Sequence, residues 1–129
     1  MYGLSSDVGI ALLQKSLDAV WFRQTVTLNN IANNDTPGYK SKSVEFSGLL
    51  KSALTKKGDN KEELLNALSD VRPKMVENKT TSARADGNNV DLDAENVALA
   101  KEQIQYQYLT ASLSSHISRL RHVINEGKG

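Results

Sequence analysis

The sequence predicts an all-α protein in which long N- and C-terminal amphipathic helices pair antiparallel as a coiled coil, joined by a loosely structured middle segment. Two heptad repeats of mainly apolar residues, one near each end of the chain, predict the helices and their pairing. The residues between the repeats are poor in core-forming side chains. We therefore expect one structural unit with an N-terminal helix at 1–32, a turn motif and irregular middle at 33–90, and a C-terminal helix at 91–129.

The N-terminal helix is predicted to begin at Ser5 or Ser6, either of which can cap it, and to run to about Ile31. Its apolar seam alternates spacings of three and four, and such a seam requires a partner helix. The seam positions are Ile10, Leu13, Leu17, Val20, Gln24, Thr27 and Ile31. Trp21 and Phe22 widen the apolar face, and we expect both to lie in the core; a contact with another chain is the alternative.

A turn motif follows, with the sequence Asn-Asn-Ile-Ala-Asn-Asn-Asp-Thr-Pro-Gly-Tyr-Lys at 29–40. Asparagine amides compete for backbone hydrogen bonds, so the motif ends the helix. Pro37 has a fixed φ and Gly38 tolerates a positive φ, which predicts a type II turn with these two residues at its centre. The apolar residues after the turn are expected to pack back towards the first helix: Tyr39, Val44 and Phe46.

The middle segment is expected to be mobile in the free chain. Within it the sequence predicts a short helix from Glu45 to about Thr55, a polar break at 56–61, one or two helical turns at 62–68 and an extended stretch at 71–77. Residues 78–89 show no periodicity, and the last four of them, Asp-Gly-Asn-Asn, predict a turn.

The C-terminal helix is predicted to begin just after this turn, capped by Asp91 or Asp93, and to run to about Asn125. It also carries a seam with spacings of four and three. The seam positions are Leu99, Gln103, Tyr106, Thr110, Leu113, Ile117, Leu120 and Ile124.

The composition excludes several classes of protein. The 129 residues carry a formal net charge of +1, so neither a nucleic-acid-binding surface nor an acidic partner is indicated. There are no cysteines, which excludes a disulfide framework, thiol catalysis and cysteine-based zinc sites. The N-terminus lacks the pattern of a cleaved secretory signal, and no apolar run approaches the roughly 20 residues of a membrane span. Composition alone therefore indicates a cytoplasmic protein that is not inserted in a membrane.

No catalytic, cofactor-binding or metal-binding site is predicted. The acidic stretch that begins at Asp86 is not a calcium loop, because its sixth and twelfth positions hold Asp91 and Val97 rather than glycine and glutamate. Helix capping explains its acids. His116 and His122 are too far apart along a helix for the i, i+4 pair of a zinc site. No nucleophile lies at a recognisable spacing from a histidine and an acid, so we do not expect an enzyme.

Two motifs resemble a known family. The first, Asn-Ile-Ala-Asn-x-x-Thr-Pro-Gly-Tyr-Lys after an amphipathic helix, resembles the signature of the bacterial flagellar axial proteins, which are rod, hook and hook-associated subunits. Its matching positions are Asn30, Ala32, Asn33, Thr36, Pro37, Gly38, Tyr39 and Lys40. The second motif is Asp-Gly-Asn-Asn-Val-Asp-Leu-Asp-x-Glu, and a tyrosine-bearing helix and Leu-Arg-x-Val-Ile follow it. It is similar to the end of the proximal rod proteins of that family. Its positions are Asp86, Gly87, Asn88, Asn89, Val90, Asp91, Leu92, Asp93 and Glu95.

The resemblance implies a structural subunit of the flagellar basal-body rod, which polymerises with other axial proteins into a tube that transmits torque and conducts exported subunits. The implied partners are other rod proteins, the adaptor FliE between the rod and the MS ring, copies of the chain itself and the flagellar type III export apparatus. The implied location is the rod across the periplasm, reached by export without a cleaved signal peptide, which overrides the cytoplasmic expectation. The expected subunit-packing residues are Ile10, Leu13, Leu17, Val20, Ile31, Leu99, Tyr106, Leu113, Ile117, Leu120 and Ile124.

One alternative from another class fits the same seams. A small helical adaptor or chaperone could bind secreted partners through them, and it would stay in the cytoplasm and bind stoichiometrically. A rod protein would instead leave the cell and polymerise.

Overall fold

A computed structural model of the chain describes residues 2–56, 60–82 and 84–127. Within these residues the chain is mostly helical, as predicted, but it also contains a two-stranded sheet and is therefore not strictly all-α. The elements in chain order are α1 (Tyr2–Ala32), β1 (Lys42–Glu45), α2 (Ser47–Lys56), α3 (Lys61–Asp70), β2 (Lys74–Glu77) and α4 (Leu92–Gly127).

The two long helices, α1 and α4, pack side by side and antiparallel. Thr27 of α1 donates a hydrogen bond of 3.0 Å from its hydroxyl to Oε1 of Glu102 in α4. Towards the other end of α1, a Cβ added to Gly9 would lie 3.2 Å from the ring of His116. Because residue numbers rise along one helix as they fall along the other, the pairing is antiparallel. Knobs-into-holes packing along the whole length stays a prediction.

The face that α4 turns towards α1 differs from the predicted seam. Its buried residue is Glu102, one position before the predicted seam residue Gln103, which is exposed. Three predicted positions are half-buried, namely Leu99, Leu113 and Leu120, and the remaining apolar ones are exposed, namely Tyr106, Ile117 and Ile124. Apolar residues occur on more than one side of α4, so periodicity alone could not identify the side that faces α1.

The N-terminal helix agrees better with its predicted seam, but Trp21 lies outside the core. Val20 and Thr27 are buried, and the other apolar seam residues are half-buried. Trp21 is 62% exposed, so the expectation that it lies in the core is wrong; Phe22 is half-buried. Ala19 is buried instead. Because a helix turns about 100° per residue, Ala19 and Trp21 lie on nearly opposite sides of α1.

The start of α1 also differs, since the helix already begins at Tyr2. Ser5 and Ser6 therefore lie within α1, and their side chains are outside the described ones. The predicted polar break is likewise outside the described residues at 57–59.

The middle segment contains more regular structure than predicted. Strands β1 and β2 pair antiparallel with Lys42 opposite Glu77 and Glu45 opposite Lys74. Phe46, just after β1, is buried against Ala19 of α1 and Val71, with half-buried side chains of α2 around them. The alanine leaves room for the phenylalanine ring, and this contact fixes the middle segment against one side of α1.

Helix α3 is joined to α1 through its C-terminal end. The ammonium group of Lys15 donates to the backbone carbonyls of Ser69 and Val71 at 3.1 and 3.2 Å. A cation is favoured at this position because the last carbonyls of a helix lack partners within it. At the other end of α3, the side chain of Asn60 caps the helix by accepting from the backbone N–H of Glu62.

The start of α4 confirms one of the two predicted caps. Oδ1 of Asp91 accepts from the backbone N–H of Ala94 at 3.1 Å, so Asp91 is the cap, and Asp93 and Glu95 lie in the first turn. Among the described residues, no helix combines the length and apolarity that crossing a membrane requires.

Leu68 tests the core of the middle segment. It is 1% exposed, so Leu68→Ala should lower the free energy of unfolding by about 2–5 kcal/mol through lost burial and a cavity. Urea unfolding followed by circular dichroism measures this change. The matched control is Leu28→Ala on the exposed side of α1, where the leucine is 52% exposed and the loss should stay within about 0.5 kcal/mol. Equal losses at the two positions would contradict the described packing.

Candidate functional site

The two sequence motifs lie side by side in the structure, although they are far apart in the sequence. The backbone N–H of Gly38 donates to the carbonyl of Asp86 at 2.8 Å, and that of Asn89 donates to the carbonyl of Tyr39 at 3.3 Å. The ammonium group of Lys40 reaches the carbonyl of Gly87 at 2.5 Å. The motifs therefore form a single site where α1 ends and α4 begins.

Each motif contributes one glycine turn. In the first, the N–H of Tyr39 donates to the carbonyl of Thr36 at 3.2 Å and Gly38 has a φ of +73°, as a type II turn requires. In the second, the N–H of Gly87 donates to the carbonyl of Arg84 at 3.1 Å, and Gly87 has a φ of +77°. The first predicted turn is present, and the second spans 84–87, two residues before the predicted 86–89.

Asn88 is the central side chain of the site and is fully buried. Its amide nitrogen donates to the carbonyls of Asn33 and Thr36 at 2.8 and 2.9 Å. Its amide oxygen accepts from the N–H of Val90 at 2.8 Å. An asparagine amide can donate twice and accept at the same time, and these contacts use that capacity. Asn88 thereby attaches the residues just before α4 to the end of α1.

Asn30 attaches the sheet to α1 in a similar way. It is 1% exposed, and its amide nitrogen donates to the carbonyl of Lys42 at 2.7 Å. Its amide oxygen accepts from the backbone N–H of Lys42 at 2.9 Å and from the hydroxyl of Tyr39 at 3.2 Å. The amide therefore pairs with β1 as a neighbouring strand would, on the edge away from β2.

Two further residues complete the site. The guanidinium group of Arg84 donates to the carbonyl and the side-chain oxygen of Asn34 at 2.5 and 3.1 Å, and lies 3.6 Å from the carboxylate of Asp86. The side chain of Asn89 accepts from the N–H of Ser41 at 2.7 Å. We call the five amides of this site the asparagine cluster: Asn30, Asn33, Asn34, Asn88 and Asn89.

Sequence reasoning missed Arg84 and the contact between the two motifs. The residue lies in a polar stretch without periodicity, and nothing in the sequence distinguishes it from the other exposed cations. The sequence analysis gave the motif asparagines roles in ending a helix, in a turn and in a family resemblance, but it did not predict that Asn30, Asn33, Asn88 and Asn89 come together.

The site favours the neutral form of the Tyr39 hydroxyl. Burial, with smaller contributions from Glu95 and Glu77, raises the pKa of Tyr39, so its hydroxyl stays protonated and can donate to Asn30. The ammonium group of Lys42 lies 5.6 Å from the centre of the Tyr39 ring, within cation–π range.

The chemistry of the asparagine cluster is structural. Its amides are hydrogen-bonded to backbone groups and, at Asn33 and Asn34, also to the side chains of Thr36 and Arg84, and they offer neither a nucleophile nor a base. Among the described residues, no group of three His, Asp or Glu side chains could hold a metal ion.

A second surface is formed by large apolar side chains that the chain leaves uncovered. In α1, Trp21 and Leu28 are 62% and 52% exposed, and they are seven residues apart, which places them on one side of the helix. In α4, the exposed residues of the predicted seam also share one side. We call these residues the uncovered face: Trp21, Leu28, Tyr106, Ile117 and Ile124.

The uncovered face lies away from the middle segment. On α1, Ala19 contacts Phe46, and helix geometry places Trp21 about 160° further round. On α4, Gln105 and Leu109 line a groove of about 310 Å³ with Phe46. Tyr106 does not line this groove, and helix geometry places it about 100° round from Gln105. The middle segment therefore covers the side of α1 that is opposite Trp21, and Tyr106 of α4 lies outside the groove that Phe46 lines.

Comparison with known proteins identifies the family. No family model matches the chain. The flagellar basal body rod protein FlgB of Bacillus subtilis is 35% identical over 127 residues, which is 90% of this chain and 92% of that protein. FlgB of Escherichia coli is 30% identical with 94% and 96% covered, and FlgB of Borreliella burgdorferi is 33% identical with 73% and 78% covered. The chain belongs to the FlgB family.

The similarity to FlgB extends beyond the two motifs. An alignment that covers 94% of the chain includes most of the middle segment, which the motifs alone leave unmatched. The region that is similar to FlgB therefore includes almost the whole fold, with the sheet and both short helices.

Asn88 tests the asparagine cluster. Asn88→Ala removes the three hydrogen bonds that this fully buried amide makes to Asn33, Thr36 and Val90, so the free energy of unfolding should fall by about 2–3 kcal/mol. Urea unfolding measures the loss. Asn96→Ala, at an exposed position of α4, is the matched control and should have little effect. A loss no greater than in the control would show that the buried amide does not stabilise the fold.

Proposed function

We propose that this chain is a structural subunit of the flagellar basal body rod. The observation that supports it most directly is the similarity to FlgB proteins, at 30–35% identity over most of the chain. The structure adds a physical reason, since a long helical pair with an uncovered apolar face is suited to packing against other subunits rather than to work as a single chain.

The uncovered face is our candidate for the subunit-packing surface. Contiguous exposed apolar side chains mark protein–protein contacts more often than free surface. The half-buried seam residues border it, and these are Ile10, Leu13, Leu17, Ile31, Leu99, Leu113 and Leu120. A neighbouring helix that covers the uncovered face would also complete the burial of these residues.

The long helices would form the stiff wall of the rod. Helix α4 has 36 residues, and at about 1.5 Å per residue it is roughly 54 Å long. Nested with equivalent helices of other subunits, it would carry torque along the tube and leave a lumen for exported subunits. We expect the neighbours to be other rod proteins, the adaptor FliE and copies of the chain itself, after export by the flagellar type III apparatus without a cleaved signal peptide.

The asparagine cluster would set the direction in which the middle segment leaves the helical layer. Asn30 holds β1 against α1, and Asn88 holds the start of α4 against the end of α1. A defined angle at this junction would place the middle segment where an adjacent subunit can contact it. The adaptor or chaperone alternative explains the seams equally, but similarity to rod proteins does not favour it.

Ile117 tests the packing surface. Ile117 is 40% exposed, so Ile117→Asp should leave the free energy of unfolding nearly unchanged and yet block incorporation, because a subunit contact would bury the charge. The tagged chain is followed through a density gradient of detergent-extracted basal bodies. The native chain should co-sediment with them and the aspartate variant should not. Leu113→Asp should block incorporation too, but it should also destabilise the half-buried seam.

The control for this experiment is Ile117→Leu, which conserves volume and should co-sediment normally. Aspartate variants that co-sediment at the native level would show that the uncovered face is not the packing surface. A native chain found only in the soluble cytoplasmic fraction would contradict the rod proposal itself and support the adaptor.

The Pro37–Gly38 turn gives a second test. Pro37→Ala combined with Gly38→Ala frees one φ and holds an alanine at +73°, which costs about 1–2 kcal/mol; no atom lies within 4 Å of the added Cβ, so the effect comes from the backbone. We expect loss of rod assembly and of swimming with export intact. Asp35→Ala, at an exposed neighbouring position, is the control. Normal swimming of the double variant would refute the role of this turn.

A further inference from the structure

Glu102 occupies an unusual position for a carboxyl group. Of the acidic and basic side chains whose burial the structure describes, it alone is buried, at 3% exposed. It lies on the side of α4 that faces α1, opposite Thr27, which is 4% exposed. Burying an ionised carboxylate is costly unless cations or several hydrogen bonds compensate for the lost water.

The hydrogen bonds of Glu102 compensate for only part of an ionised carboxylate. Oε1 accepts one bond of 3.0 Å from the hydroxyl of Thr27. Oε2 is buried and has no partner. An ionised carboxylate offers about four acceptor sites, so one hydroxyl leaves most of them unsatisfied. The neutral acid keeps the bond to Thr27 and has less charge to solvate.

The charged groups that act on Glu102 come from both helices. Arg23 on α1 favours the ionised form, and Glu95 on α4 opposes it. No salt bridge joins Arg23 to Glu102 in the described part of the chain. Burial is the largest influence, and it raises the pKa of Glu102 despite the opposing effects of Thr27 and Arg23.

We propose that Glu102 is a proton-dependent contact between α1 and α4, in which the neutral carboxyl stabilises the pairing of the helices and its ionisation loosens them. The proposal rests on the geometry of the interface and does not require the rod function. It concerns a property of the single chain, namely the strength with which its two ends are held together.

The direction of the pH dependence follows from the raised pKa. The folded chain binds the proton of Glu102 more tightly than the unfolded chain does. The stabilisation is therefore fully present below the ordinary pKa of glutamate and is lost as the pH rises through the raised value. Within that window the folding equilibrium constant falls by up to about tenfold per pH unit.

Glu102→Gln tests this dependence in the whole chain. Glutamine has the same shape and cannot ionise, so the variant should lose this component of the pH dependence. Urea midpoints should show its advantage over the native chain growing as the pH rises from about 4 to about 8. The matched control, Glu63→Gln at an exposed position of α3, should follow the native chain.

A second variant and a second measurement make the test of the proposal independent of the Glu102→Gln substitution alone. Thr27→Val deletes the hydroxyl that lowers the pKa of Glu102, so it should extend the window to higher pH. Carbon-13 NMR should show one glutamate carboxyl that titrates above the others and is missing from Glu102→Gln. The proposal would be overturned if the native chain and Glu102→Gln had parallel pH profiles. It would also be overturned if the Glu102 carboxyl titrated together with the exposed glutamates, whether or not the chain is folded.

Discussion

The fold depends on the contacts that one buried amide makes just beyond the end of α1. The carbonyls of Asn33 and Thr36 both accept from the side chain of Asn88, which lies four residues before α4 begins. Each of these carbonyls also accepts a backbone N–H of the turn itself, so the amide joins a turn that is already formed to the residues before α4. The same contacts place the first turn of α4 beside the last turn of α1, which lets α4 return along the whole length of its partner.

The α1–α4 pair has two distinct surfaces, the interface between its own helices and the uncovered face. Within the chain, the interface buries the polar side chains of Thr27 and Glu102, and the large apolar side chains of the uncovered face are exposed. An isolated globular domain would bury its Trp21 before its Glu102, because burial of apolar area is the main favourable contribution to folding. The reversed order is reasonable for a chain whose remaining burial comes from neighbouring subunits.

Local signals predicted well, and signals between distant segments did not. The two long helices, the cap at Asp91 and the turn at Pro37 and Gly38 follow from residues next to one another in the sequence, and the structure contains all of them. Strand β2 lies within the extended stretch predicted at 71–77, but β1 and the pairing of the two strands were missed, because each strand has only four residues and β2 shows no alternation of buried and exposed positions. The partners of Asn88 could not be predicted, since an amide gives no periodic signal for what it will bind.

The closed edge of the small sheet has a consequence for the chain before it assembles. Open strand edges invite other chains to pair and aggregate, and proteins protect them with short strands, prolines and lysines. Here Asn30 occupies the outer edge of β1 at Lys42, and β2 is short, follows Pro73 and begins with Lys74. Two concentrated chains therefore have little opportunity to pair through their sheets, which would otherwise favour amyloid-like growth.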